Sequence, residues 1–475
     1  MKILLTGATG YIAQRLLPVL LQNGHDVVCC VRDKSRFNQE RYPLPNLTVI
    51  EANFLDEHTL SQIPEDIDAA YYLIHSMSTS IGDFTTMEDV SARNFRSRVE
   101  HTSAKQVIYL SGITNEKKLS KHLNSRKNVE EILKSDKYAL TTLKAGIIIG
   151  SGSASFEIIR DLVEKLPLII APRWLNTRSQ PIAIRNVIEY LLGVLNNENT
   201  FNNSYDIGGP EILTYKEMLL RFAKVRGLKR MIWVVPVMTP RLSSYWLYFV
   251  TSTSYSLASH LVNSMKVEIV CKENQLNDLL EGVQLIGYDK AIKLAFGKIE
   301  QNQVVSSWKD ALTSSTLNNG ISQHIQVPVN GCFIDKRQLK IENSDRVLQN
   351  IWSIGGIRGW YYGNWLWEIR GIMDKLAGGV GLRRGRKNPT EISAGESLDF
   401  WRVLLADKAE KRLLLYAEMI LPGEAWLEFK ITNSYELIQT ATFRPLGVWG
   451  RVYWYAVLPF HGFIFKGMIN SIAKS

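Results

Sequence analysis

An α/β fold on a doubly wound parallel sheet, followed by a separate α+β unit, is the fold class this 475-residue sequence predicts. Three observations carry it. Short apolar runs alternate with helical segments through the first 150 residues. A glycine-rich turn joins the first run to the first helix. Beyond residue 330 the pattern changes to strand-like runs separated by turns.

In order, the runs Lys2–Thr6, Asp26–Arg32, Leu47–Glu51, Asp68–Ile74, Lys105–Ser111 and Ala139–Lys144 read as strands. Between them, Tyr11–Asn23, Asp83–His101 and Ser120–Ser135 have helical spacing. Ser151–Ser153 reads as a loop, Phe156–Lys165 and Asn186–Leu195 as helices, and Tyr205–Pro210 as one more strand ending in a turn. Ser, Thr and Asn accumulate over Ser306–Gln323, which predicts a linker. The expected domains are therefore 1–305, with a small substrate-side subdomain, a linker over 306–330, and 331–475.

Composition narrows the function classes. With 45% hydrophobic and 21% charged residues the chain is neither disordered, collagenous nor a coiled coil. Four cysteines without a CxxC spacing predict a reduced, cytoplasmic setting, and the opening apolar run is too short for a secretory signal. The net charge of +10 divides into +4 for residues 1–330 and +6 for 331–475. Its one compact cluster, Arg383–Lys387, is read as a solvated loop, with an anionic lipid, phosphate or nucleic-acid contact as the alternative. No nucleic-acid partner is expected, whereas peripheral attachment to the inner membrane is left open. Met231–Val250 is broken by Pro236, Pro240 and Arg241, and Val452–Phe465 is only 14 residues long, so neither predicts a span. No His/Cys/carboxylate cluster has metal-ligand spacing.

The turn Gly7-Ala8-Thr9-Gly10-Tyr11-Ile12-Ala13 carries the strongest chemistry. Gly7 permits a tight bend, Gly10 leaves room for a pyrophosphate, and the helix that starts here offers free N–H groups to phosphate oxygens. Strand, turn, helix and second strand stand at the spacing of a Rossmann dinucleotide site. Arg32 closes the second strand, where an NAD site places a carboxylate for the ribose 2′-hydroxyl. An arginine suits the 2′-phosphate of NADP, with Arg36 in support and Asp33 pointing back toward NAD. NADP is the expected cofactor, NAD the less favoured one, and a merely solvated Arg32 the structural alternative.

The segments TGATGYIA, CVRDKSR, AYYLIHSM, VIYLSGI and LKAGIIIGSGSASFEIIR make residues 1–300 resemble the atypical short-chain dehydrogenase/reductases. Within them the chain looks closest to the NmrA-like NAD(P)H-binding proteins and the nucleotide-binding accessory subunit of respiratory complex I. The segments GWYYGNWLW, LDFWRV, LPGEAWLEF and GRVYWYAVLPFHGFIFKGM resemble a domain of unassigned activity appended to a long bacterial subgroup. The first resemblance implies further cofactor contacts from Asn53 and Asp56 near the adenine, from Ile74, His75 and Ser76 along the adenine ribose, and from Gly146 and Ile147 at the nicotinamide. It also implies a catalytic Ser and a Tyr-x-x-x-Lys helix. Ser111 fits the serine, while His122 and Arg126 stand at the Tyr and Lys positions. Arginine keeps its proton, so it cannot activate a neighbour as lysine does, although a neutral His122 is itself an acid/base near pH 7. The alternatives are a surface histidine with Arg126 on ribose or phosphate, and a strand-end serine.

Downstream, the strand-like runs Ser397–Leu405, Arg412–Leu421, Ala425–Thr432 and Glu436–Phe443 suggest an antiparallel meander. A helix near Tyr361–Leu376 and a long closing stretch, Leu446–Ala473, complete the ingredients of a helix-grip fold, similar to START-like domains. Trp360, Tyr361, Trp365, Trp367, Trp401, Trp426 and Trp454 either line an apolar cavity or fill a core or an interface with the first domain. The function this implies is hydride transfer between NADP(H) and an unidentified organic substrate, an apolar one among the options, with a non-catalytic NAD(P)H-binding sensor or assembly protein as the alternative.

Overall fold

Seven parallel strands form the first sheet: β1 (Lys2–Leu5), β2 (Asp26–Val31), β3 (Leu47–Glu51), β4 (Ala69–Tyr72), β5 (Gln106–Gly112), β6 (Ala139–Ala145) and, after β7 (Leu168–Pro172), β8 (Ser204–Ile207). Their order is β8-β6-β5-β4-β1-β2-β3, which reverses beside β1. The computed structural model describes residues 1–34, 44–74, 84–113, 121–235, 265–272, 282–300, 332–356, 358–377, 391–445 and 447–474, with the shorter pieces 37, 39, 42, 262, 276–280, 327, 379–381 and 386. His75, Ser76, Arg36 and all of the expected linker 306–330 except Val327 lie outside the described residues. The chain divides into two compact units, with the boundary at Ala311 and Leu312.

The strands of unit 1 read as continuous apolar runs because both faces of the sheet are covered. On one face Ile3, Leu5, Val27 and Cys29 meet α1 (Ala13–Gln22), which contributes Leu16, Leu17, Leu20 and Leu21. Leu4, Val28, Tyr72 and Tyr109 meet Phe95 of α2 (Phe84–Val99) and Val129 and Leu133 of α3 (Lys121–Leu133) on the other. Burial pushes the Cys29 and Cys30 thiols far up, so both stay neutral and unreactive. A smaller cluster lies around α4 (Ala154–Lys165), α6 (Tyr215–Val225) and α7 (Tyr288–Glu300), α5 (Ile184–Gly193) belonging to the main core. Phe156, Phe222 and Phe296 form its centre, with ring centroids 5.5–5.7 Å apart. β7 pairs in parallel with β9 (Met231–Val235) at its edge.

Unit 2 is a six-stranded antiparallel sheet. It contains β10 (Phe333–Lys340), β11 (Ser397–Leu398), β12 (Trp401–Asp407), β13 (Arg412–Ala417), β14 (Gly423–Ile431) and β15 (Glu436–Pro445), ordered β10-β15-β14-β13-β12-β11. The four-run meander is present. β10 is additional and pairs along the whole of β15, from Phe333 opposite Phe443 to Lys340 opposite Glu436. The helices are α8 (Ser344–Trp352), capped by the Asn343 side chain, α9 (Asn364–Leu376) and α10 (Gly447–Lys474). α10 packs along β10, β15 and α8.

Trp360, Trp367, Trp401, Trp426 and Trp454 are buried in the cores of this unit, and Trp365 is exposed. Trp360 packs on Phe400 and Trp401, while Trp454 is stacked on both Phe333 and Phe443 at 5.2 and 5.8 Å. The five buried tryptophans therefore fill a core. One expectation from the sequence is corrected here. The helix expected over Leu446–Ala473 is present as α10, but its apolar part is not limited to Val452–Phe465: Trp449–Lys474, 26 residues containing an 18-residue stretch with a mean hydropathy of 1.2, is long and apolar enough to cross a membrane by length and composition. Helical hydrogen bonding runs through Pro459 and Lys466, where the apolar run in the sequence breaks.

Candidate functional site

The glycine turn lies between the end of β1 and the start of α1, beside the point where the strand order reverses. Gly7 has φ +63°, and a Cβ there would stand 2.6 Å from the Leu73 carbonyl oxygen, so glycine is required on both conformational and steric grounds. The Gly10 N–H donates to the Gly7 carbonyl at 2.7 Å, and a Cβ on Gly10 would stand 2.9 Å from that oxygen. Thus Gly10 is needed for the turn itself as well as for ligand approach. The backbone N–H groups of Ala8, Thr9, Ile12 and Ala13 make no hydrogen bond among the described residues. Together with the helix N-terminus they form an anion cradle, which fits a pyrophosphate.

A support missed by sequence reasoning braces this turn. The Arg15 guanidinium lies 3.9 Å from the centre of the Tyr11 ring and donates to the Ser151 carbonyl at 2.6 Å. Burial pushes the Tyr11 hydroxyl up to about 12, against the opposing charge of Arg15. A Cβ on Gly150 would lie 2.5 Å from that hydroxyl, so the Gly150–Ser153 loop closes directly on Tyr11. The Tyr11–Arg15 spacing of one helical turn was the available signal.

Arg32 is exposed at the end of β2 and has no hydrogen-bond or ion-pair partner among the described residues, while Asp33 beside it is buried. Asn53 and Asp56 shape the turn after β3. Asn53 Oδ1 accepts from the Leu55 N–H at 3.2 Å, and Asp56 caps the short helix Glu57–Gln62 by accepting from the His58 N–H at 3.2 Å. Ile74 is half-buried after β4. At the end of β6, a Cβ on Gly146 would stand 3.1 Å from Ile269 and 3.3 Å from the Gln180 carbonyl, and Ile147 is buried.

Ser111, at the end of β5, is buried, and its Oγ lies beside the Tyr109 hydroxyl, with which it interacts without a hydrogen bond of good geometry. His122 lies on the first turn of α3, with its side chain outside the described residues. The structure places Arg126 inward, not on the helix surface. Its Nη1 donates to the Leu110 carbonyl at 3.3 Å and to the Tyr109 hydroxyl at 3.5 Å. Glu88 of α2 is also buried there and accepts from Ser125 Oγ at 2.5 Å. Burial holds the Tyr109 hydroxyl above its ordinary range, with Arg126 opposing, so Tyr109 remains protonated at neutral pH. Glu88 and Arg126 thus form a buried charged network beside Ser111. No group of three metal-ligating side chains occurs among the described residues.

Comparison with known proteins agrees with the fold. Residues 7–152 match the family described as NAD(P)H-binding, and residues 331–468 match a family described as protein of unknown function (DUF2867). A triphenylmethane reductase from Citrobacter sp. aligns over 62% of this chain and 100% of its own, at 15% identity and a TM-score of 0.52. A nucleoside-diphosphate-sugar epimerase from Staphylococcus aureus covers the same shares at 13% identity and a TM-score of 0.50. At such identities these likenesses establish the fold alone. No curated protein matches in sequence.

Proposed function

From a first domain whose residues 7–152 match the NAD(P)H-binding family and whose fold is shared with a triphenylmethane reductase, we propose that this protein binds NADP(H) and reduces an organic substrate by hydride transfer. The observation that carries the reading is the cradle of N–H groups at Ala8, Thr9, Ile12 and Ala13. These would hold the pyrophosphate, while exposed Arg32 takes the 2′-phosphate. The bound nucleotide supplies the hydride. Ser111 would hold the substrate oxygen through its buried hydroxyl, which lies beside that of Tyr109, and His122 would supply the proton. Arg126 positions β5 and α3 through Leu110 and Tyr109 and takes no proton.

Arg32→Ala should weaken NADPH binding by about tenfold or more, the loss of one charge-assisted contact, and leave NADH binding nearly unchanged. Titration of intrinsic tryptophan fluorescence with each nucleotide measures both. A parallel loss for NADPH and NADH would remove the 2′-phosphate assignment.

With a panel of carbonyl and quinone acceptors, turnover should fall by about 10²–10⁴ in His122→Ala while NADPH binding persists. Full activity in that variant would exclude His122 as the donor. A second reading, a non-catalytic NADPH sensor, is favoured by one observation: the cation at the usual lysine position is held in the buried network. NADPH binding without oxidation by any acceptor supports that reading over the first.

A further inference from the structure

Unit 2 exposes more apolar surface than its fold requires. One side of α10 is buried through Trp454, Phe465, Met468, Ile469 and Ile472, but up to Phe463 the helix presents Trp449, Val452, Tyr455, Phe460 and Phe463 at 53–78% exposure. At 100° per residue these five fall within one arc of about 140°. α9 presents a second apolar face through Trp365, Ile369, Ile372, Met373 and Leu376, each 46–71% exposed. The two helices meet where Tyr362, just before α9, packs on Phe463 at 5.0 Å.

Charge indicates what covers this surface. α10 contains Arg451, Lys466 and Lys474, all exposed, and no aspartate or glutamate. Directly beside Phe463 an open groove of about 530 Å³ is lined by Tyr362, Lys466, Asn470, Ser471 and Lys474. The Lys466, Asn470 and Lys474 side chains make no hydrogen bond among the described residues. The α10 stripe, rich in Trp, Tyr and Phe and flanked on its own helix by cations without a carboxylate, matches the chemistry of an anionic lipid interface, while α9 adds one exposed carboxylate, Glu368, beside its apolar face. A crossing helix would have to leave the sheet, because the other side of α10 is packed in the core.

We propose that unit 2 docks on an anionic lipid surface, with the α10 stripe among the acyl chains and a lipid phosphate in the Lys466–Lys474 groove. The full chain should pellet with phosphatidylcholine/phosphatidylglycerol vesicles and much less with phosphatidylcholine alone, and added salt should weaken the binding. Two double variants test the two parts: Trp449→Ser with Phe460→Ser for the stripe, and Lys466→Glu with Lys474→Glu for the groove. Each should lower the bound fraction by about tenfold or more while the melting temperature and NADPH binding stay unchanged. Absence of pelleting with anionic vesicles would overturn the proposal, as would undiminished binding by both variants. So would a wild-type dimer, without lipid binding, that the stripe variant converts to monomer, since a second copy would then cover the stripe.

Discussion

Gly10→Val should abolish nucleotide binding, lowering the affinity for NADPH and NADH alike by more than about 100-fold. The new Cβ would stand 2.9 Å from the Gly7 carbonyl, and that oxygen is fixed by the 2.7 Å bond from the Gly10 N–H. The turn must open, and the amides of Ala8, Thr9 and Ile12 move with it. Hydrogen bonds to a charged group are worth about 1.5–3 kcal/mol each, so displacing two accounts for the loss. Calorimetric titration measures it, with circular dichroism to verify that the sheet persists. Wild-type affinity in this variant would mean that the nucleotide does not use the turn.

Glu418→Ala should destabilise unit 2 by about 3–5 kcal/mol, because it leaves a guanidinium buried without its counter-charge. Arg402 of β12 and Glu418, next to the end of β13, both have side chains with no solvent exposure. Arg402 Nη2 donates to the two Glu418 carboxylate oxygens at 3.1 Å each, and Nη1 donates to the Gly395 carbonyl at 2.7 Å. Replacing both residues, Arg402→Met with Glu418→Leu, should cost far less than the single change, since no charge is then left in the core. Denaturant unfolding of the full chain reads the difference. A loss under about 1 kcal/mol for the single variant would show that water reaches the pair.

Legibility in the sequence followed locality. β1, β2 and β5 were readable because strands covered on both faces are unbroken apolar runs, and the glycine turn because its constraint acts over four residues. β10 was not. Its segment FIDKRQLK carries four charged residues, and only the pairing with β15, about 100 residues away, makes it a strand. Its half-buried positions alternate with exposed ones at the sheet edge, so the sequence resembles a loop.

The site divides in the same way. Gly7, Gly10 and Arg32 declare themselves through spacing along the chain. Arg126 matches the lysine position by spacing, yet its environment is set by Glu88 and Ser125, which come together only when α2 packs on α3. The Arg15 contact to Ser151 spans 136 residues and leaves no local trace. The closing helix was legible over nearly its whole length, Leu446–Ala473; only its apolar run was read short, because Pro459 and Lys466 interrupt it, while the remaining helical bonds and the buried Met468, Ile469 and Ile472 carry the helix to Lys474.

The central claim is that the cradle at Gly7–Ala13 and the guanidinium of Arg32 together select NADP(H). Titration of the purified full chain with NADPH and with NADH under identical conditions tests it most directly. The account predicts that both bind and that NADPH binds about tenfold or more tightly, the ratio expected of one charge-assisted phosphate contact. Equal affinities, or no binding of either nucleotide, would contradict it.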